Sequence, residues 1–223
     1  MKLCGHSVSP YVERILIALE MKGNGRAVPL ADVAGGFKSE EHLGHHPLGK
    51  IPFLLLDDGT ALSESQSILE YLDAVVDGDS VTPTDPMIAA KASRIVRVLD
   101  IYYTNAIGPM GKVAFGGSAT EEELADARER ALPEALRYLD FCIEGEQFAV
   151  GDRWSHADAA IMSQLYWFEQ LMPRFGVPGL EAYAKLHAYW ENAKKTDIYQ
   201  ASKARADKSV AKFFGQKAEE KKK

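Results

Sequence analysis

Gly49-Lys50-Ile51-Pro52-Phe53-Leu54-Leu55-Leu56 reads as a loop that enters a strand through a proline. Proline has no N–H to give to a ladder, so at the first residue of a strand no sheet hydrogen bond is lost. An X-Pro bond is also the one kind of peptide bond that becomes cis cheaply. A cis bond here would turn the N–H and C=O of Ile51 outward, leaving an edge on which a small extended peptide docks as an extra strand. Asp57-Asp58-Gly59-Thr60 follows as a hairpin turn, and Thr60-Ala61-Leu62 returns as the partner strand. Ser63-Glu64-Ser65-Gln66 then hands over to a helix expected over residues 65–76. Backbone N–H groups and hydroxyls at a helix start seat a carboxylate. The stretch therefore predicts a site for something peptide-like and anionic.

Upstream, residues 2–5 give a short strand. Ser9-Pro10 supplies a cap and a first-turn proline for a helix running to about Lys22, with Val12, Ile15, Leu16 and Leu19 at helical spacing. Gly23 and Gly25 end it. Residues 26–30 are expected as the next strand and residues 39–43 as a brief helix before Pro47. The order strand, helix, strand, helix, strand, strand, helix is the layout of a thioredoxin-like domain. Downstream, residues 77–86 are rich in turn formers and read as a linker. Beyond it the pattern is helical. Residues 87–106 carry Ile88, Ala92, Ile95, Val96 and Leu99 on one face, and the glycines of residues 108–117 suggest a longer loop. Thr120, followed by acidic residues, opens a helix that continues past Leu132-Pro133 to about Ile143. Ser155 as cap and Asp158 three residues on form a reciprocal capping pair, with Trp154 placed as a staple, so Asp158 reads as a folding device. The fold class is α/β plus all-α: a thioredoxin-like domain over residues 1–76, a linker over 77–86, and an all-helical domain over 87–223.

The chain of 223 residues is 46% hydrophobic, enough to bury a full core. Its formal net charge of -6 offers no basic footprint for nucleic acid. The only dense basic stretch, residues 217–223, reads as a solvated terminus. Glu13, Arg14 and Glu20 interrupt the first apolar run, so neither a signal peptide nor a membrane span is expected. Cys4 and Cys142 are too few for a disulfide framework and lack metal-ligand spacing; a reducing cytoplasm is the simplest setting. His42, His45 and His46 have no further ligand at metal spacing and are taken as loop surface; no metal is expected.

Taken together, Ser9-Pro10-Tyr11 with Arg14, Lys50-Ile51-Pro52, Glu64-Ser65, and Gly151-Asp152 leading into Ser155 and Asp158 resemble the glutathione transferase superfamily over nearly the whole chain. The first half is most similar to serine-type members, the plant tau and phi classes and their bacterial relatives. The resemblance implies an enzyme, a glutathione S-transferase of the detoxification type, with glutathione as cosubstrate. It implies that Glu64 and Ser65 hold the γ-glutamyl end, the Ile51 backbone pairs with the cysteinyl part next to Pro52, and Lys50 and Lys38 neutralise the glycyl carboxylate. Lysines beside a ligand with two carboxylates are also what charge-assisted hydrogen bonding favours.

The chemistry implied centres on Ser9. A free thiol has a pKa of about 8.5. A hydroxyl donating to the sulfur at the positive end of a helix favours the thiolate. Ser9 is a donor here and attacks nothing itself. Ser7 and Tyr11 are its rivals; Tyr11 reads better as a wall of the electrophile pocket, and His6 as a residue that orients the loop. Cys4 reads as a small buried apolar residue. An apolar electrophile is expected on the helical side, with Tyr102, Tyr103, Met110 and Trp167 as candidate pocket residues, although helical-core packing explains any one of them too. The resemblance also implies a homodimer. Two alternatives stay open: a glutathione-dependent isomerase or lyase, and a non-enzymatic ligand-binding protein that keeps the fold. Whether Phe213 and Phe214 pack across the pocket is left undecided by the sequence.

Overall fold

The computed structural model describes residues 1–220, with side chains to Gly215. The chain divides into two compact units, residues 1–82 together with the last helix, and residues 83–196.

The first unit is built on a four-stranded sheet ordered β2-β1-β3-β4, from β1 (Lys2–Cys4), β2 (Leu30–Ala31), β3 (Phe53–Leu55) and β4 (Ala61–Ser63). β1 runs parallel to β2 and antiparallel to β3, with Leu3 opposite both Leu30 and Leu54. Strand alternation sends Leu3 and Leu54 to one face, where they meet Val12, Ile15, Leu16 and Leu19 of α1 (Pro10–Met21) and Ile68 and Leu72 of α3 (Ser65–Val75). Cys4 and Phe53 face the other side with Val33. The Ile51–Pro52 bond is cis, and the turn after β3 is held by Thr60 N–H donating to Asp58 Oδ1 at 2.8 Å.

The second strand lies later than residues 26–30. Pro29 cannot donate, so it meets β1 only through its carbonyl, which accepts from Leu3 N–H at 2.9 Å, and pairing proper starts at Leu30. Val28, expected within the strand, packs into the core instead.

Lys22, just past α1, knots the start of the linker. Its Nζ donates to Asp73 Oδ1 at 2.8 Å and to the carbonyls of Asp73 and Asp79 at 3.2 and 3.1 Å. Asp73 also accepts from Ser80 Oγ, Val81 N–H and Thr82 N–H. Burial tends to raise the Asp73 pKa, yet the bonds from Lys22, Ser80, Val81 and Thr82 outweigh it and pull the carboxyl from 3.8 to about 2. A depressed carboxyl pKa gives stability that is present above the unfolded value and lost as pH falls through the folded one. Between roughly pH 4 and pH 2, wild type is therefore expected to lose about 2 kcal/mol that Asp73→Asn does not. Urea unfolding at stepped pH values measures the difference.

The second unit is helical. α4 (Pro86–Arg97), capped by Asp85, runs through a π-helical turn (Val98–Tyr103) straight into α5 (Thr104–Ala114). The loop expected over residues 108–117 is thus mostly helix. Ala106 and Met110, four residues apart, are buried on one face, and that burial overrides the poor propensity of Gly108, Pro109 and Gly111. The helix opened by Thr120 carries its capping box but is broken in the middle: α6 (Glu121–Asp126), a π-helical turn (Ala127–Ala131), then α7 (Leu132–Cys142). The turn precedes Pro133, which has no N–H to continue an unbroken ladder.

α8 (His156–Leu171) is the buried centre of this unit, and α9 (Ala184–Ala193) is tied to it through Tyr189. Asp158 is fully buried and takes four donors. Oδ2 accepts from Ser155 N–H at 2.8 Å and Ser155 Oγ at 2.9 Å, closing the capping pair. Oδ1 accepts from Ala149 N–H at 2.8 Å and from the Tyr189 hydroxyl of α9 at 2.9 Å. Burial pushes this carboxyl up, opposed by those four bonds.

The last helix, α10 (Asp197–Glu220), belongs to the first unit. The side chains of the basic run 217–223 lie outside the described residues. No helix among the described residues is long and apolar enough to cross a membrane.

Candidate functional site

Two helix N-termini and one strand entrance form the site. Ser9 heads α1 with extended backbone, and its carbonyl accepts from Val12 and Glu13 N–H. Its hydroxyl makes no capping hydrogen bond, so the usual local partner for a serine at this position is not engaged. A helix of 12 residues stands behind it, with the positive end of its dipole at Ser9. The loop that presents Ser9 is tight: Ser9 N–H donates to the His6 carbonyl at 3.0 Å, so His6 shapes the loop. Gly5 lets this loop close on the strand entrance. With φ of 150°, a Cβ there would lie 2.8 Å from Val12 Cγ2 and 3.4 Å from Ile51 Cβ.

Glu64 and Ser65 open α3. Glu64 has φ of 68°, a left-handed backbone that a non-glycine residue holds only when its surroundings demand it. Ser65 is buried, and its Oγ accepts from Arg14 Nη1 at 3.3 Å. Arg14 is itself fully buried, its guanidinium 5.2 Å from the Tyr11 ring centre. It links α1 to the first residue of α3, setting the two helix starts in register. Tyr11 is half-buried beneath it.

Lys38 and Lys50 are exposed, and they are placed by a residue expected on the loop surface. His42 is instead fully buried in α2 (Glu40–His45). Its Nδ1 accepts from Lys38 N–H at 3.0 Å, so the ring proton sits on Nε2 and donates to the Lys50 carbonyl at 3.0 Å. The ring stacks on Phe53, with 5.6 Å between centres. His46 is buried as well, and His45 stacks on Phe53 at 5.4 Å. These histidines are aromatic packing and backbone struts rather than loop surface. Polarity alone hid them; the pairing of His42 with Phe53 across eleven positions has no local signature. Lys38 holds φ of 60°, and Gly49, at φ of 57°, passes so near that a Cβ would meet Lys38 Cγ at 3.0 Å.

The candidates on the helical side separate. Tyr103 and Met110 are fully buried in the core of their unit, and Trp167 is buried edge-on to Phe115 at 5.5 Å. Tyr102 is 53% exposed, facing Tyr138 across a shallow groove. Tyr103 and Met110 therefore act as core packing. Among the described residues no cluster of three or more His, Cys, Asp or Glu side chains is set to hold a metal ion. Cys4 and Cys142 are free and buried, and burial raises both thiols above their ordinary pKa.

Both halves of the chain have known counterparts. Residues 8–75 match the sequence model of the glutathione S-transferase N-terminal domain, and residues 99–195 that of the C-terminal domain. A maleylacetoacetate isomerase of Rhizobium meliloti (strain 1021) is 31% identical over 160 residues, 69% of this chain and 74% of the relative. A probable glutathione S-transferase of Oryza sativa subsp. japonica is 32% identical over 179 residues, 75% of this chain and 72% of the relative. Among solved structures, a maleylacetoacetate isomerase of Methylobacterium extorquens AM1 with bound malonate and glutathione superposes with a TM-score of 0.69 at 25% identity, covering 91% of this chain and 95% of that one.

Proposed function

Because the chain belongs to the glutathione S-transferase family, we propose that it binds glutathione and stabilises its thiolate with the Ser9 hydroxyl for conjugation to an electrophilic carbon. The observation that carries this is the Ser9 hydroxyl at the head of α1, which makes no capping hydrogen bond. The rest of the site fits the same ligand. Ser65, at a helix N-terminus, offers a hydroxyl and an N–H to the γ-glutamyl carboxylate, and Glu64 a counter-charge to its ammonium. The Ile51 backbone pairs with the cysteinyl part, and Lys38 and Lys50 meet the glycyl carboxylate. Ser9 then donates to the sulfur, and the thiol proton leaves to solvent before the sulfur attacks. Each unit by which the thiol pKa falls requires about 1.4 kcal/mol of differential stabilisation.

A glutathione-dependent isomerisation is the second reading, favoured by the two isomerases among the similar proteins. It needs the same thiolate and differs in the fate of the sulfur adduct. A homodimer belongs to both readings and rests on family membership; a reducing compartment rests on the two cysteines, both free of any disulfide.

Titration calorimetry with glutathione tests the binding half. Saturable binding is expected, weakened about tenfold in His42→Ala because Lys38 and Lys50 lose the ring that spaces them. The thiol pKa of the bound ligand should move little in that variant, since the hydrogen bonds of His42 go to the backbone of Lys38 and Lys50. No binding by wild type would contradict the proposal.

A further inference from the structure

α10 returns over α1 and is fixed there by charge. Buried Glu13 of α1 accepts from Ser202 Oγ at 2.6 Å and from Arg205 Nε and Nη2 at 3.1 Å each, while Arg205 Nη1 reaches Glu20 at 3.2 Å. Arg205 thus grips the Glu13 carboxylate through two nitrogens, a forked geometry that fixes orientation as well as distance. The inward stripe of α10 follows helical spacing: Tyr199, Ser202 and Ala206 are buried, and Phe213, two turns further on, is half-buried. Between Tyr199 and Phe213 the stripe is poor in apolar bulk and gives the hydrophobic effect little area to act on. The Glu13 cluster therefore sets where the helix lies.

Phe213 begins a row of rings that ends beneath the two lysines of the site. Its ring centre stands 6.0 Å from that of His6, His6 5.3 Å from Phe37, Phe37 5.7 Å from His42, and His42 5.6 Å from Phe53. Phe37 meets both histidines edge-on, at separations where aromatic pairs attract. Burial lowers the His6 pKa against the pull of Asp32, so His6 enters the row as a neutral ring at neutral pH. The segment that carries Phe37 is conformationally demanding. Gly35 and Gly36 precede it at positive φ, and Lys38 follows with φ of 60°. A left-handed backbone on a non-glycine residue persists only where its surroundings hold it. For Lys38 those surroundings include His42 Nδ1, which accepts from its N–H at 3.0 Å, and the same His42 ring is the one Phe37 packs on.

We propose that α10 is a strap whose docked Phe213 buttresses, through His6 and Phe37, the His42 ring that spaces Lys38 and Lys50. Phe213, and Arg205 that anchors its helix, are then positioning residues for the end of the site that meets the glycyl carboxylate. The consequence for affinity rests on the glutathione reading; the mechanical link from α10 to Lys38 does not.

Amide hydrogen exchange of the full chain, resolved by NMR, tests the link without any ligand. In Phe213→Ala the Lys38 amide is expected to exchange about fivefold faster, the scale of one lost aromatic contact, while Leu69 and Leu72 in the buried face of α3 keep their wild-type rates. Arg205→Ala should accelerate Lys38 to the same degree and loosen α10 as well, and the double variant should add nothing further at Lys38. An unchanged Lys38 amide in Phe213→Ala would overturn the proposal. Acceleration of Lys38, Leu69 and Leu72 by one common factor would overturn it too, because that is general loosening. Should Arg205→Ala fail to fold, Phe213→Ala decides alone. Calorimetry then reads the consequence with two ligands, glutathione and its glycyl ethyl ester, which lacks that carboxylate. Glutathione is expected to bind Phe213→Ala about fivefold more weakly than wild type, and the ester to bind both within about twofold. An equal fall for both ligands, or none for either, would overturn the positioning role. Absence of glutathione binding by wild type would contradict the proposed function instead, and the exchange rates then judge the strap.

Discussion

Asp158→Ala is expected to lower the unfolding free energy by about 3–5 kcal/mol, more than any other single polar substitution named for this protein. The carboxylate accepts from Ala149 N–H, Ser155 N–H, Ser155 Oγ and the Tyr189 hydroxyl. All four donors sit on residues at most 1% exposed, so no water replaces the lost partner. Each donor left buried without an acceptor costs roughly 1–3 kcal/mol, and the cavity left by the side chain adds to it. For a chain of this size the melting temperature should fall by about 6–20 °C. Asp158→Asn keeps the shape and one acceptor oxygen, and about half the loss is expected. Paired calorimetric melts of the two variants check the ordering. Equal, small losses in both would mean that the four bonds of the carboxylate contribute little beyond helix capping.

The largest effect on chemistry is expected from Ser9→Ala: a fall of about a hundredfold in kcat/KM for conjugation, with glutathione affinity little changed. A donor aimed at the charge-bearing atom contributes on this scale when it is removed from a preorganised site. Binding should survive because the groups proposed to hold the two carboxylates and the ammonium lie elsewhere, on α3 and beside α2. Ser9→Thr keeps a hydroxyl at the head of α1 and should recover most of the rate, which a merely structural role for Ser9 would not predict. Steady-state kinetics on the three proteins, with calorimetric binding beside them, separate the two possibilities.

Much of this was written in local chemistry. Pro52 at a strand entrance, Asp58-Gly59 at the turn and Ser65 at a helix start each act on their immediate neighbours, so their roles survive translation from sequence to structure. The same holds for Thr120 and Ser155 as caps. The hidden features depend on partners distant in the chain. Arg14 reaches Ser65 across 51 positions, and nothing near it in sequence announces a buried guanidinium. His42 carries the backbone of both Lys38 and Lys50, yet among polar neighbours it reads as surface. The glycines and proline of α5 signal a loop until the burial of Ala106 and Met110 is known. The anchoring of α10 by Glu13 and Arg205 spans 192 positions, so the fate of Phe213 was equally out of reach.

The most direct test of serine-assisted thiolate formation is a near-ultraviolet absorbance titration of the glutathione complex against pH, in wild type and in Ser9→Ala. A thiolate band that rises well below the free-thiol pKa of about 8.5 in wild type, and returns toward that value in the variant, is the expected result. A band that titrates identically in both proteins would show that the Ser9 hydroxyl does not hold the thiolate.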